Sequence, residues 1–238
     1  MKPIVFFRKF HKWLGLIIGI QVLFWAAGGF VMTFFDIEEV RGEHTMAQPV
    51  AFSLDDGQVS ITANQALQQI DFAPESITLK GLLGKPVWVA TNKEQQAIVD
   101  ATTGKKLSPL DKSLARQVAL ADFSGQGELA ELTLLSEELG EVRGKGLPIW
   151  QAQFNDSDNT RVYISPYNGE VVARRNDTWR VFDFFWMLHI MDYKNRTDFN
   201  HPLVVFAAFL ALFMTLSGLY LVIKVVFLKR KRTSTPKT

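Results

Sequence analysis

The chain contains no cysteine. That excludes disulfides, thiolate metal sites and the Cys-x-x-Cys-His attachment of a covalent haem, so any cofactor must be held by other ligands. Histidine is scarce as well, with only His11, His44, His189 and His201. No Gly-rich phosphate loop, nucleophile elbow, H-E-x-x-H pair or flavin or nicotinamide fingerprint occurs, which removes the common soluble-type active sites. Carboxylates are missing from both ends. Residues 1–35 carry Lys2, Arg8, Lys9 and Lys12 without an anion, and residues 203–238 carry Lys224, Lys229, Arg230, Lys231, Arg232 and Lys237, again without one. All 24 carboxylates therefore lie between, against 16 cations, a net of −8 that the overall +2 hides. Nothing in this balance points to nucleic acid.

Two long apolar runs are present instead. Trp13 to Phe35 is 23 residues without a charge, and Leu203 to Leu228 is 26 residues broken only by Lys224. Either can span a hydrocarbon core of roughly 30 Å as a helix. A cleavable signal peptide is the competing reading of the first run, but its apolar stretch exceeds the usual ~7–15 residues and no small-x-small cleavage site follows. Lys and Arg near a span are kept on the cytoplasmic side. The expectation is a protein that crosses the bilayer twice, in contact with lipid, with both termini cytoplasmic and the acidic segment exported.

The fold class expected is a membrane α-helical hairpin plus an exported α+β domain of two repeats. The boundaries read as an N-tail over 1–12, a first span over 13–35, the exported domain over 36–177, an interfacial helix and turn over 178–200, a second span over 201–228 and a basic tail over 229–238. Within the domain, repeat 1 covers about 58–108 and repeat 2 about 109–177. Each repeat is read as helix, then hairpin. Repeat 1 has a helix over Thr62–Ile70 with Thr62 or Asn64 as cap, then strands at Val87–Thr91 and Gln96–Ala101 and a turn at Thr102–Lys105. Repeat 2 has helices over Asp111–Ala121 and Glu128–Glu138, strands at Leu147–Phe154 and Arg161–Ser165, and a turn at Tyr167–Glu170. Trp88 and Trp150 fall at matching positions, where core packing is the first expectation. Thr178–Asp192 is too short and charged to span yet too apolar for a loop, which suits a helix lying at the membrane face.

Three of the four histidines sit at the ends of membrane-associated segments: His11 at the inner edge of the first span, His189 in the interfacial helix, and His201 just before the second span. Ionisable groups at membrane depth are functional candidates, although half-polar imidazoles are also common at interfaces. On a helical wheel Gly15, Ile18, Gly19, Val22, Ala26 and Gly29 lie within about 80° of His11, forming a thin face. The Gly15-x-x-x-Gly19 pair suits helix dimerisation, and a flat macrocycle held by His11 needs the same face. Gln21 is expected to face protein or cofactor. His11 to Phe35 is about 36 Å along a helix, so His11 cannot share a metal with His189 or His201. A bis-histidine haem needs a pair at each site, and a two-fold homodimer would supply the inner one and complete a four-helix membrane bundle. Arg8, Lys9 and Lys12 inside, and Arg180, Lys194 and Arg196 outside, are candidate propionate partners, the inner set being equally explained by membrane orientation alone. A zinc site fits the spacing of His189 and His201 poorly. His44 reads as a surface residue.

His11-Lys12-Trp13-Leu14-Gly15 opening a span, a twofold exported domain, and Trp186-Met187-Leu188-His189-Ile190-Met191-Asp192 ahead of Phe199-Asn200-His201-Pro202 together resemble the PepSY-associated transmembrane proteins of bacterial inner membranes. The resemblance covers nearly the whole chain. It implies b-type haem with His11, His189 and His201 as axial ligands, a small two-span ferric reductase that takes electrons from a cytoplasmic or quinol donor, and ferric iron as the acceptor. Larger members have about four spans, so dimerisation is implied for a chain with two. The alternatives are a non-enzymatic, membrane-anchored binding module and an accessory subunit of an iron transporter. No residue is singled out as directly catalytic.

Overall fold

The structure, a computed structural model, describes residues 3–50 and 59–227. Lys2, Leu228 and the basic tail over 229–238 lie outside the described residues, as does the expected start of repeat 1 at position 58. The chain divides into two compact units, one made of the stretches up to Phe35 and from Val181 onward, the other of Asp36–Arg180.

The first unit is a helical hairpin with a third helix. Helix α1 runs over Pro3–Phe34, 32 residues, or about 48 Å. Pro3 stands at its start, where a missing N–H costs nothing. Helix α6 runs over Pro202–Val222, with Pro202 in its first turn and His201 as N-cap, and continues as a π turn over Ile223–Phe227. Segments Arg8–Phe34 and Pro202–Val225, with mean hydropathy 2.0 and 2.2, are long and apolar enough to cross a membrane. Their rings and aliphatic chains, Trp13, Leu23, Phe30, Phe209 and Leu216 among them, are largely exposed, as a lipid-facing surface requires. Helix α5, Asp177–Ile190, ends in this unit.

The second unit is α+β with two antiparallel sheets. Asp36 caps the short α2, Ile37–Val40, by accepting from the Glu38 N–H. Helix α3, Ala63–Leu67, opens with a capping box between Thr62 and Gln65. The first sheet has the order β1 (Ser76–Leu82), β2 (Lys85–Thr91), β3 (Gln96–Asp100). Its β1–β2 connection is the two-residue turn Leu83-Gly84, with both φ positive at 53° and 75°, the geometry that matches strand twist. Helix α4, Lys112–Asp122, is capped by Asp111, and the second sheet follows as β4 (Leu129–Leu135), β5 (Ile149–Phe154), β6 (Arg161–Ile164) and β7 (Val171–Arg175).

Both sheets and α4 bury one core. Val87, Val89 and Ile98 from the first sheet meet Trp150, Phe154, Val162 and Ile164 from the second and Ala115 and Val118 from α4. The opposite face of the second sheet packs Ile149, Tyr163 and Ala173 against Val142. Helix followed by antiparallel meander thus occurs twice. The two tryptophans make the same bond: Trp88 donates to the carbonyl of Ile61, Trp150 to that of Leu110, each acceptor lying just before the N-cap of the preceding helix.

One element departs from expectation. Glu128–Glu138 is not a helix: Leu129–Leu135 is strand β4, paired antiparallel with β5. Its Leu, Ala and Glu content favours helix, but propensity is a weak prior that pairing and burial override, here by placing Leu132 in the core beside β5. Strands β1 and β7 extend each expected hairpin into a meander.

Candidate functional site

His11 lies against α6. Its Nδ1 is 2.9 Å from Ser217 Oγ, and Ser217 is 4 % exposed. A Cβ built on Gly218 would stand 3.0 Å from His11 Cε1, a tight contact that the ring could relieve only by shifting a few tenths of an ångström, so the absence of a side chain there makes room for the ring. Four residues further along α1, a Cβ on Gly15 would meet Met214 Sδ at 3.6 Å. These contacts set α1 and α6 antiparallel, with His11 level with Gly218 and Gly15 level with Met214. Ile18, 4 % exposed, continues this face. Among the described residues, Gly19 and Gly29 have nothing within 4 Å of where a Cβ would be, so the thin face expected around His11 is divided: Gly15 faces α6 and Gly19 stays open.

His189 is in the last turn of α5 and packs on α1 at Gly28, where an added Cβ would be 3.4 Å from His189 Nδ1 and 3.5 Å from the Phe185 carbonyl. That Nδ1 is buried and has no hydrogen-bond partner among the described residues. The last carbonyls of a helix lack intrahelical donors, and α1 supplies two. Trp25 donates its indole N–H to His189 O at 2.8 Å, and Gln21 donates to Leu188 O at 3.2 Å. Gln21 accordingly faces protein.

The turn to α6 is organised by Asp192. Its buried carboxylate accepts backbone N–H bonds from Lys194, Asn195, Thr197 and Asp198 at 2.9–3.3 Å. The bond from Asn195 leads in holding its pKa down to about 2, with those from Thr197, Asp198 and Lys194 adding to it against the opposing effect of burial. Trp186 donates to Arg196 O at 3.1 Å, and Arg196 pairs with buried Asp183. The chain so folded presents His201 as the cap of α6, its Nδ1 accepting from Leu203 N–H at 3.4 Å.

Two rulers measure the separation of the histidines. From His11 to Gly28, beside His189, is 17 residues of α1, and from His201 to Ser217, beside His11, is 16 residues of α6. Each corresponds to about 25 Å. His189 and His201 thus share one end of the hairpin and His11 occupies the other. Among the described residues no three His, Asp or Glu side chains converge as a metal cluster.

Two of the three expected outer cations are already committed. Arg180 is bound within the second unit to Glu141 at 2.9 Å and Asp177 at 2.6 Å, and Arg196 to Asp183. Lys194 is exposed. Glu141 also accepts from Tyr163 at 2.6 Å and Arg161 at 3.2 Å. Burial works against the charge on Glu141, but these hydrogen bonds and guanidinium charges hold its pKa below the usual value. Arg8, Lys9 and Lys12 are exposed in the first turns of α1, near His11, and His44 is an exposed residue 3.6 Å from Asp158.

Ser217, Gly218, Gly28 and Trp25 escaped the sequence reading. Ser217-Gly218 interrupts an otherwise apolar run, and that interruption was the available signal.

The residues present fit a haem held by imidazole. His11 has Nδ1 engaged by Ser217, leaving Nε2 as its other ring nitrogen, and the buried Nδ1 of His189 is an orphan among the described residues. Among the known proteins, the family model described as PepSY-associated TM region matches residues 8–238. No curated protein and no solved structure matches the chain.

Proposed function

This chain belongs to the PepSY-associated TM family, and on that premise we propose that it is a b-type haem protein of the bacterial inner membrane that carries electrons outward to reduce ferric iron. The observation that carries this reading is the placing of imidazoles at two levels of one apolar hairpin, His11 at one end and His189 with His201 about 25 Å away at the other. Haem supplies a one-electron carrier whose potential follows its axial ligands and burial. His11, His189 and His201 are the residues that would hold it, His201 on giving up the Leu203 N–H that its Nδ1 accepts here. Ser217 orients His11, Trp25 and Gln21 fasten the turn that bears His189, and Asp192 folds the loop that delivers His201. Gly19 and Gly29 keep one face of α1 open for a second copy, which completes the inner histidine pair and a four-helix bundle.

In this reading both termini are cytoplasmic, a cytoplasmic or quinol donor supplies electrons, and the acidic domain is periplasmic, its two helix-and-meander halves being PepSY-like repeats. Ferrous iron released outside is then taken up by a separate transporter. The test is reduction across a sealed bilayer. Proteoliposomes holding the purified protein, with reductant on one side and a ferric chelate plus ferrous indicator on the other, should develop colour, and His11→Ala or His189→Ala should abolish it. Protein-free rates throughout would refute the proposal.

A second reading, a membrane-anchored binding module or transporter accessory, draws on a cleft of about 510 Å³ in the second unit. Phe72, Gln96, Lys106, Lys145, Pro148 and Tyr167 line it, at the seam between the two halves. Here function would survive replacement of all three membrane histidines.

A further inference from the structure

Ser217 is a buried hydroxyl inside a span helix that is otherwise almost wholly apolar. Its Oγ donates to the carbonyl of Met214 at 2.8 Å and lies 2.9 Å from His11 Nδ1. A serine hydroxyl owns a single proton. With that proton on Met214, Oγ can meet the ring only as an acceptor. The ring nitrogen facing it must then be a donor, which places the imidazole proton on Nδ1 and the lone pair on Nε2.

The neighbouring glycine serves the same end. A Cβ at position 218 would be 3.0 Å from Cε1, 3.6 Å from Nε2 and 3.8 Å from Nδ1, against the carbon between the two ring nitrogens. An alanine there pushes the imidazole away by a few tenths of an ångström.

We infer that Ser217 and Gly218 form the seat of His11: Ser217 is a positioning residue that fixes the Nδ1–H tautomer, and Gly218 leaves room for the ring at Cε1, so that it keeps this place and presents Nε2 to a ligand. The tautomer follows from hydrogen bonds within this chain and does not depend on what binds; only the identity of the ligand, haem iron, rests on the function proposed above. A ring N–H donated to a fixed acceptor orients a ligating histidine and raises its basicity, and loss of such partners typically weakens metal binding by about 10–100-fold.

The test uses full-length protein with ¹⁵N-labelled histidine in lipid nanodiscs, first without haem. The His11 ring should show a protonated Nδ1 and an unprotonated Nε2. Ser217→Ala should release it to a mixture of tautomers, and Ser217→Thr, which keeps the hydroxyl, should restore the original pattern. A wild-type His11 protonated at Nε2, or a ring unchanged in Ser217→Ala, overturns the inference. Titration with haem then separates the two claims. Ser217→Ala and Gly218→Ala should each retain haem at the inner site about 10–100-fold less well than wild type, and Ser217→Thr should approach wild type. Equal retention by Ser217→Ala overturns the positioning role. If no form takes up haem while the tautomer responds as expected, the proposed function fails and the seat stands.

Discussion

Trp25 of α1 donates its indole N–H to the backbone carbonyl of His189 at 2.8 Å, joining residues 164 apart in sequence. The acceptor is a terminal helix carbonyl with no donor of its own in α5. Trp25→Phe keeps the ring and removes only the bond. Interhelical hydrogen bonds of this kind contribute about 0.6 kcal/mol on average in membranes. The variant should lose roughly that in reversible unfolding in bicelles, with faster amide exchange confined to residues near 190. Unchanged exchange there would mean that the bond does not hold the turn bearing His189.

Asp192 makes the loop before α6 sensitive to strong acid. Its pKa in the folded protein is about 2 against an ordinary 3.8. A depressed carboxylate stabilises the fold fully above its unfolded value and loses that contribution as pH falls through the folded one. The amides of Asn195, Thr197 and Asp198 should therefore stay protected from exchange at pH 4 and open as pH approaches 2. In Asp192→Asn the pH dependence should vanish. A carboxyl of Asp192 titrating near 4 would contradict the four-donor arrangement.

Tyr163 behaves in the opposite sense. Burial, reinforced by its bond to Glu141, raises its pKa from 10.0 to about 12. Stability from the neutral phenol is complete below pH 10 and is lost as pH rises through 12. An alkaline absorbance titration of the full chain should show a late tyrosine step that is absent from Tyr163→Phe. That variant should also be less stable by about 1.5–3 kcal/mol, the usual loss for a hydrogen bond to a charged group. A single tyrosine step near 10 would refute the Tyr163–Glu141 pairing.

The pairing of α1 with α6 is open to chemical test because the chain has no native cysteine. Gly15→Cys with Met214→Cys should be joined within one chain by a short thiol cross-linker, since a Cβ at 15 lies 3.6 Å from Met214 Sδ. A product of monomer size is expected. Cross-linking solely between chains would assign that contact to a dimer interface.

Much of this was legible locally. The apolar runs, the Thr62 cap, the glycine turns at 104 and 169 and the matched Trp88 and Trp150 all follow from short-range rules. Glu128–Glu138 was misread because its composition favours helix while its fate depends on pairing with β5. The site is legible only in outline. His11, His189 and His201 could be named from their positions near apolar runs, but their supports are distant: Ser217 is 206 residues from His11, and Gly28 is 161 from His189. No periodicity encodes such contacts. Asp192 is an intermediate case, conspicuous in the sequence beside His189 and explained only when its four backbone donors are seen.

The central claim is that the membrane histidines hold haem. The direct measurement is the absorption spectrum of the full-length protein purified in mild detergent from haem-replete cells, before and after dithionite. The account predicts red protein with a dithionite-sensitive Soret band, reduced by His11→Ala and, separately, by His189→Ala or His201→Ala. Colourless protein free of haem, or a band indifferent to all three substitutions, would contradict it.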